Sequence, residues 1–316
     1  MKVFSDVSSI DESLRGAVLT VGNFDGVHLG HQRILRTAHA LAKVSSAAVL
    51  AMTFEPHPIN VLRPDKAPAR LTPWEEKVHQ LERCSADAVV RLKTDWPLLS
   101  LTAEDFVREI LIKRIHPSYI VEGPNFGFGR DRKGTVDTLR AMAAKGGFQV
   151  HVVDPYRLHQ PDGSFLIVSS TAVRNFLSNG DIAGAAACLG RSYRLVGNVV
   201  HGAGAGKTLG FPTINLDVGE QLVPAEGVYG GYAEVAGLRR LAAISIGHRP
   251  TFEGQSLAVE AFLLDETGDW YAERAVLELV QYLRPQARFA DREALSEQIE
   301  KDIQQIRSLL EPVTNR

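Results

Sequence analysis

Gly22-Asn23-Phe24-Asp25-Gly26-Val27-His28-Leu29-Gly30-His31-Gln32 separates two segments of different hydrophobic period. Before it, Ala17-Val18-Leu19-Thr20-Val21 is a continuous apolar run of strand length. After it, Ile34, Leu35, Ala38, Leu41 and Ala42 recur at the spacing of one helix face. The stretch is therefore a strand-to-helix turn near the start of an α/β unit. A helix N-terminus offers unpaired N–H groups and a partial positive charge to an anion. Gly26 and Gly30 permit close backbone approach, and His28 and His31, three apart, can enter one site. Imidazoles donating to a phosphate spread the charge that builds as a pyrophosphate leaves, with no side-chain nucleophile required. Caps or metal ligands are the alternatives. A metal would want a third ligand, for which His57 alone is a weak candidate.

Outward from this turn, strand and helix alternate over the first 190 residues. Apolar runs at 16–22, 46–54, 86–92, 118–123 and 148–153 predict strands. Thr72-Pro73-Trp74-Glu75 reads as a capping box with proline at the first helical position. Thr102 and Thr135 open further helices, and Gly146, Gly180 and Gly190 suit helix C-termini. Such alternation predicts a Rossmann-like parallel sheet covered on both faces. Beyond Gly190 the runs shorten. Candidate strands at 193–200, 228–236, 240–246, 257–264 and 273–282, separated by Gly, Pro and Asp, predict a small antiparallel barrel or sandwich. Leu295, Ile299, Ile303, Ile306 and Leu310 stripe a final amphipathic helix over 291–310. The expected organisation is thus α/β, with domains at 1–186 and 187–316.

A chain of 316 residues fits two domains. Its 45% hydrophobic and 23% charged content is that of an ordinary globular protein. A net charge of −2 gives no electrostatic reason to expect nucleic acid as partner. Cys84 and Cys188 have no C-x-x-C companion and read as inert thiols in a reducing compartment. Neither a secretory apolar segment nor a membrane-length run is present, so the expectation is a cytoplasmic protein. Composition is silent on oligomeric state.

Three further motifs end first-domain strands, where open α/β sheets bind ligands. Phe54-Glu55-Pro56-His57-Pro58 is either part of a site or a rigid proline-flanked loop. Gly123-Pro124-Asn125-Phe126-Gly127-Phe128-Gly129 offers Asn125 as a hydrogen-bonding group and Phe126 and Phe128 as faces for a planar ring; simple packing of the aromatics is the alternative. Ser169-Ser170-Thr171-Ala172-Val173-Arg174 opens a helix with hydroxyls at its start and Arg174 one turn in, a second phosphate clamp or a plain capped helix.

In the second half, His201-Gly202-Ala203-Gly204-Ala205-Gly206-Lys207-Thr208 resembles a P-loop but fails it, because position 201 is histidine and no helix follows. A glycine-rich flap over phosphates remains, with backbone N–H groups around Gly206 and the amine of Lys207 as donors. In Gly210-Phe211-Pro212-Thr213-Ile214-Asn215, Thr213 and Asn215 point to one side of an extended segment and present hard oxygens suited to Mg²⁺ with bound phosphates. A plain strand with polar residues outward is the alternative.

The first half resembles nucleotidyltransferases of the H-x-G-H type. The G-F-P-T-x-N segment, followed in order by Ala225-Glu226-Gly227-Val228-Tyr229-Gly230, Ile246-Gly247-His248-Arg249-Pro250-Thr251-Phe252 and Val259-Glu260-Ala261, resembles the riboflavin kinase domain. Together they resemble the bacterial bifunctional riboflavin kinase/FAD synthetase family from Val18 to the C-terminal helix. The resemblance implies that riboflavin and ATP give FMN in the second domain. FMN and a second ATP then give FAD and pyrophosphate in the first, both reactions with Mg²⁺. It implies His28 and His31 on the phosphates and transition state, with Asn23, Gly30, Ser170, Thr171 and Arg174 completing that site. It implies Asn125, Phe126, Phe128 and Arg249 near flavin, Gly206 and Lys207 near ATP in the kinase site, Thr213 and Asn215 as metal ligands, and Glu260 as base. The chain departs from the family at Asn125, where an aspartate is frequent, at Ser245, where asparagine is usual, and at Ala261-Phe262, where Val-His is usual. An adenylyltransferase with a non-catalytic flavin-binding barrel, and a non-catalytic flavin-binding regulatory module, stay open at this point.

Overall fold

The computed structural model describes residues 1–160, 162–202, 206, 209–251 and 254–311. Contacts divide the chain into two compact units, Met1–Ser169 and Ser170–Arg316.

The first unit is built on six parallel strands: β1 (Lys2–Phe4), β2 (Val18–Gly22), β3 (Val49–Glu55), β4 (Ala88–Lys93), β5 (Tyr119–Glu122) and β6 (Gln149–Val152). Their order is β1-β4-β3-β2-β5-β6. Five of the six coincide with predicted apolar runs; four of these, β2 to β5, are interior strands covered on both faces, and Val18 to Val21 and Val49 to Met52 are all buried. Strand order reverses at β2, whose neighbours are β3 and β5. Loops leaving β2 and β5 diverge there and open a crevice at the carboxyl ends of the strands. Helix α1 (Leu29–Ser45) starts in that crevice.

Thr102 and Thr135 cap helices as expected, through bonds to Asp105 N and Thr138 N. The helix over Val136–Gly146 ends on Gly147 rather than Gly146, because Gly147 takes the left-handed conformation with φ 70°. The expected capping box at Thr72 does not form. The helix Trp74–Arg83 starts after Pro73 with no side-chain cap, and the Thr72 hydroxyl turns instead to Asp25 and the Gly26 N–H.

The second unit opens with helices Ser170–Ser178 and Ile182–Leu189, the latter ended by Gly190 at φ 68°. Strands β7 (Arg157–His159) and β8 (Phe165–Ile167) form a short hairpin in the first unit. Then β9 (Tyr193–Val200), β10 (Thr213–Asp217), β11 (Gly227–Val235), β12 (Leu238–Thr251), β13 (Gly254–Leu263) and β14 (Arg274–Arg284) close an antiparallel barrel in the order β10-β13-β12-β11-β14-β9. The C-terminal helix, Arg292–Leu310, is capped by Asp291 and docks through Ile306 against Gly230. Its buried Asp302 also accepts from the guanidinium of Arg284 at 2.8–3.1 Å. The rest of the predicted stripe, including Leu295 and Ile299, is only half-buried.

Candidate active sites

In the first unit the site grows from the β2–α1 turn. His28 is the N-cap of α1, and its Nδ1 accepts from His31 N at 3.4 Å. The two rings stack with centroids 3.7 Å apart, and Phe24 meets His31 edge-on. Gly30 leaves room for this stack, since a Cβ there would stand 3.0 Å from the His28 ring. Burial, with His28 and Lys77 nearby, holds the His31 imidazole well below its ordinary pKa. A neutral His31 keeps one N–H to donate. Among the described residues its buried Nδ1 meets no hydrogen-bond partner.

Asn23 is fixed from β3. Thr53 Oγ1 donates to the Asn23 carbonyl, and His57 Nε2 lies 2.8 Å from the Asn23 carboxamide. His57 Nδ1 accepts from Ile59 N, so in a neutral ring Nε2 carries the proton; the carboxamide as placed turns Nδ2 to it, and we exchange its oxygen and nitrogen so that the oxygen accepts that proton. The remaining carboxamide atom, buried with no partner among the described residues, is then an NH₂ donor available to a ligand oxygen. Thr53 reaches Asn23 from within β3, whereas His57 reaches it from the N-cap of the helix Pro58–Leu62 that follows the strand.

Charged groups that the sequence reading did not single out lie beneath the turn. Buried Glu55 accepts from Arg70 at 2.7 Å and from buried Lys77 at 3.3 Å. Burial pulls the Lys77 ammonium below its ordinary pKa, while Glu55 and Asp25 oppose that shift. Removing one partner would strand a buried charge. Asp25, also buried, accepts from Leu71 N and Thr72 N.

Glu122 ends β5 and accepts from Val21 N. Burial raises its carboxyl well above the ordinary value. Between that ordinary value, 4.5, and its raised value the folded chain binds more protons than the unfolded one. Stability is therefore lost as pH rises through this window. Glu122→Gln keeps the acceptor and cannot ionise. It is expected to raise the melting temperature of this unit at pH 7, with the gain vanishing at pH 4. Scanning calorimetry at both values checks this, and no gain at pH 7 would count against it.

Phe128 is 3% exposed and packs on Phe106 and Phe126, so its packing alternative accounts for it. Phe126 is half-buried and Asn125 exposed on the same loop. Ser170, Thr171 and Arg174 lie in the first two turns of the helix Ser170–Ser178. Just before it, the Val168 carbonyl is 3.6 Å from where a Cβ on Gly30 would stand.

In the second unit, β10 lies antiparallel to β13 with Asn215 opposite Glu260 and Thr213 opposite Phe262. Thr213 Oγ1 donates to Glu260 Oε2 at 3.3 Å. Gly202 lies hard against the Asn215 carboxamide, and a Cβ on Gly206 would strike the Phe211 carbonyl and sit 3.4 Å from Thr213 Oγ1. The glycine-rich segment thus meets the Thr213–Asn215 face at both described positions. Lys207 lies outside the described residues. Arg249 pairs with Ser256 between β12 and β13. Glu260 also lines a cavity of roughly 390 Å³ with Glu226, Ser245, His248, Gln286 and Arg288. His248 Nδ1 lies 2.7 Å from Glu226 Oε1. Gln286 Nε2 donates to Ser245 Oγ at 2.9 Å. Gln286 and Arg288 come from the segment after β14. No local motif marked them, because only barrel closure brings that segment to Glu260.

The FAD synthetase family model matches residues 10–171 and the riboflavin kinase family model residues 189–310. The bifunctional riboflavin kinase/FMN adenylyltransferase of Escherichia coli K12 is 35% identical over 96% of both chains. That of Pseudomonas fluorescens is 36% identical over the whole of both. The chain belongs to this bifunctional riboflavin kinase/FMN adenylyltransferase family. A crystal structure named as a macrolide-efflux protein from Streptococcus pneumoniae shares the fold at a TM-score of 0.85. It is 28% identical over 96% of this chain and 98% of that one. No described helix here is long and apolar enough to cross a membrane. The FAD synthetase match covers the His28–His31 turn, and the riboflavin kinase match covers Thr213, Asn215 and Glu260.

Proposed function

We propose that this enzyme makes FMN and then FAD on two sites of one chain, using ATP in both steps. In the barrel unit, the ribityl 5′-hydroxyl of riboflavin attacks the γ-phosphorus of ATP, ADP leaves, and the hydroxyl proton passes to Glu260. In the first unit, a phosphate oxygen of FMN attacks the α-phosphorus of ATP and pyrophosphate leaves. The observation that carries the kinase reading is the β10–β13 register. It supports one cluster of hydroxyl, amide and carboxylate groups, from Thr213, Asn215 and Glu260, beside a polar cavity. Phosphoryl transfer needs little more than positioning and charge stabilisation.

The donors fit Mg²⁺. Among the described residues no group of three or more His, Cys, Asp or Glu forms a protein cage for a metal. Mg²⁺ commonly keeps its waters and substrate phosphates as ligands, so two side-chain oxygens suffice. Thr213 and Asn215 would hold it, and when bound it would neutralise charge on the phosphates. We assign the remaining ATP contacts of this unit to Gly206 and Lys207 and a flavin contact to Arg249 from the family resemblance; Lys207 and the Arg249 side chain lie outside the described residues.

For adenylyl transfer, stacked His28 and His31 at the start of α1 hold the ATP phosphates and meet the charge that develops on pyrophosphate. The Asn23 NH₂ adds a donor. We assign Ser170, Thr171 and Arg174 to the ATP phosphates of this reaction from the family resemblance alone, with the adenylyltransferase domain taken to 186. Asn125 and Phe126 contact the flavin. The partners are small molecules, with neither nucleic acid nor membrane among them, and the enzyme works in the cytoplasm.

The test is to incubate the pure protein with riboflavin, ATP and Mg²⁺ and resolve the flavins by chromatography over time. FMN is expected first and FAD after it; supplied FMN should give FAD directly. FAD from supplied FMN with none from riboflavin would reduce the barrel to a non-catalytic module.

A further inference from the structure

We propose that Thr72 is a positioning residue for adenylyl transfer, clamping through Asp25 and Gly26 the turn that carries His28 and His31. The proposal rests on the assignment of that reaction to the first unit.

The turn is held in backbone geometry its residues disfavour. Phe24 has φ 47° and Val27 φ 40°, both in the left-handed region, and both side chains are buried. For a bulky aromatic and a β-branched residue this is strain, which persists only where surrounding contacts over-determine the chain. Those contacts are visible. Val27 N donates to Phe24 O at 3.2 Å, and Gln32 Nε2 donates to Val27 O at 2.9 Å. Thr53 holds the Asn23 carbonyl from β3.

The middle of the turn, Asp25-Gly26, is held from the segment before the helix Trp74–Arg83. Thr72 Oγ1 accepts from Gly26 N at 3.1 Å and donates to Asp25 Oδ1 at 3.4 Å. Leu71 N and Thr72 N donate to the same Oδ1 at 3.0 and 3.1 Å. Thr72 is 3% exposed and Asp25 6%, so the bonds lie in a dry interior where an unmade partner is costly. One hydroxyl thus serves two successive residues of the turn, and it stands five positions before Lys77, the buried cation whose charge reaches His31.

Thr72 is too deeply buried to touch substrate. Its effect passes through the turn to His28, whose ring is closely packed: a Cβ on Gly30 would stand 3.0 Å from it. A misplacement of about 1 Å in such an array costs on the order of a hundredfold in rate.

The test compares wild type, Thr72→Val, Thr72→Ala and Thr72→Ser in the full chain. FAD formation from FMN and Mg-ATP gives kcat and KM, riboflavin phosphorylation by the same preparation is the internal control, and thermal melting reports folding. Val and Ala variants are expected to lose roughly ten- to a hundredfold in adenylylation kcat, with KM for FMN and FMN production near wild type. Serine, which restores the hydroxyl, should recover kcat to within a few-fold. Wild-type kcat in Thr72→Val or Thr72→Ala, failure of serine to rescue, or loss of the first unit's melting transition in both hydroxyl-free variants overturns the positioning role. Absence of FAD formation by wild type would instead sink the assignment of the reaction itself.

Discussion

His31→Ala is expected to collapse FAD formation while riboflavin phosphorylation stays near wild type. The ring stacks on His28 at the mouth of α1, held neutral by burial with one N–H to offer. Removing one such pre-placed donor from a developing oxyanion typically costs about a hundredfold or more. The loss should be larger in kcat than in ATP binding, since the charge that His31 meets is greatest as pyrophosphate departs. The measurement is a pair of assays on one preparation, FMN to FAD and riboflavin to FMN. Equal loss of both would point to misfolding. No loss would remove His31 from the chemistry and leave its stacking as packing.

Glu260→Gln should do the reverse. The glutamine keeps the shape of the side chain and an oxygen for the Thr213 hydroxyl, which donates to Glu260 at 3.3 Å. It loses the capacity to take a proton. General-base catalysis is worth roughly 10² to 10⁴ in rate, and riboflavin phosphorylation should fall by that range with riboflavin binding little changed. FAD formation from supplied FMN should persist. Near-normal FMN production would show that Glu260 is only a strand carboxylate on the cavity wall, and the base would then have to be sought among its neighbours there, such as Glu226.

His31 could be picked out before the fold was in view, because its strand-to-helix turn already implies its use, whereas Glu260 stood out only through the resemblance to the riboflavin kinase domain, since nothing in Val259-Glu260-Ala261 by itself marks a base. The parallel sheet was legible for a related reason: β2 to β5 are interior strands whose burial writes itself as apolar runs, while β6, at the edge, holds no fully buried residue and stood out only as the run over 148–153. Three-residue strands such as β1, β7 and β8 carry no such signature. β10 was visible only as an extended polar segment, since Thr213, Asn215 and Asp217 interrupt its apolar residues. What escaped altogether was non-local. Glu55 meets Lys77 across 22 positions, and Thr72 meets Asp25 across 47. Thr72 also shows how a local rule loses to a tertiary one. Threonine before Pro-Trp-Glu is a good cap in isolation, but the buried Asp25 carboxylate needs its donors more than the helix end does. Gln286, whose amide orients Ser245, is likewise invisible until β14 has brought it round the barrel.

The barrel's hydrogen-bonded ring runs from β9 through every strand and back to β9. It has no first or last strand, and so no place at which it can be shortened. Deleting any one of the six would expose two unpaired borders at once, each a template for another chain. The kinase unit is therefore indivisible between Tyr193 and Arg284. Loss of any strand inside that interval is expected to cost the whole unit, while the loops between the strands remain free to vary.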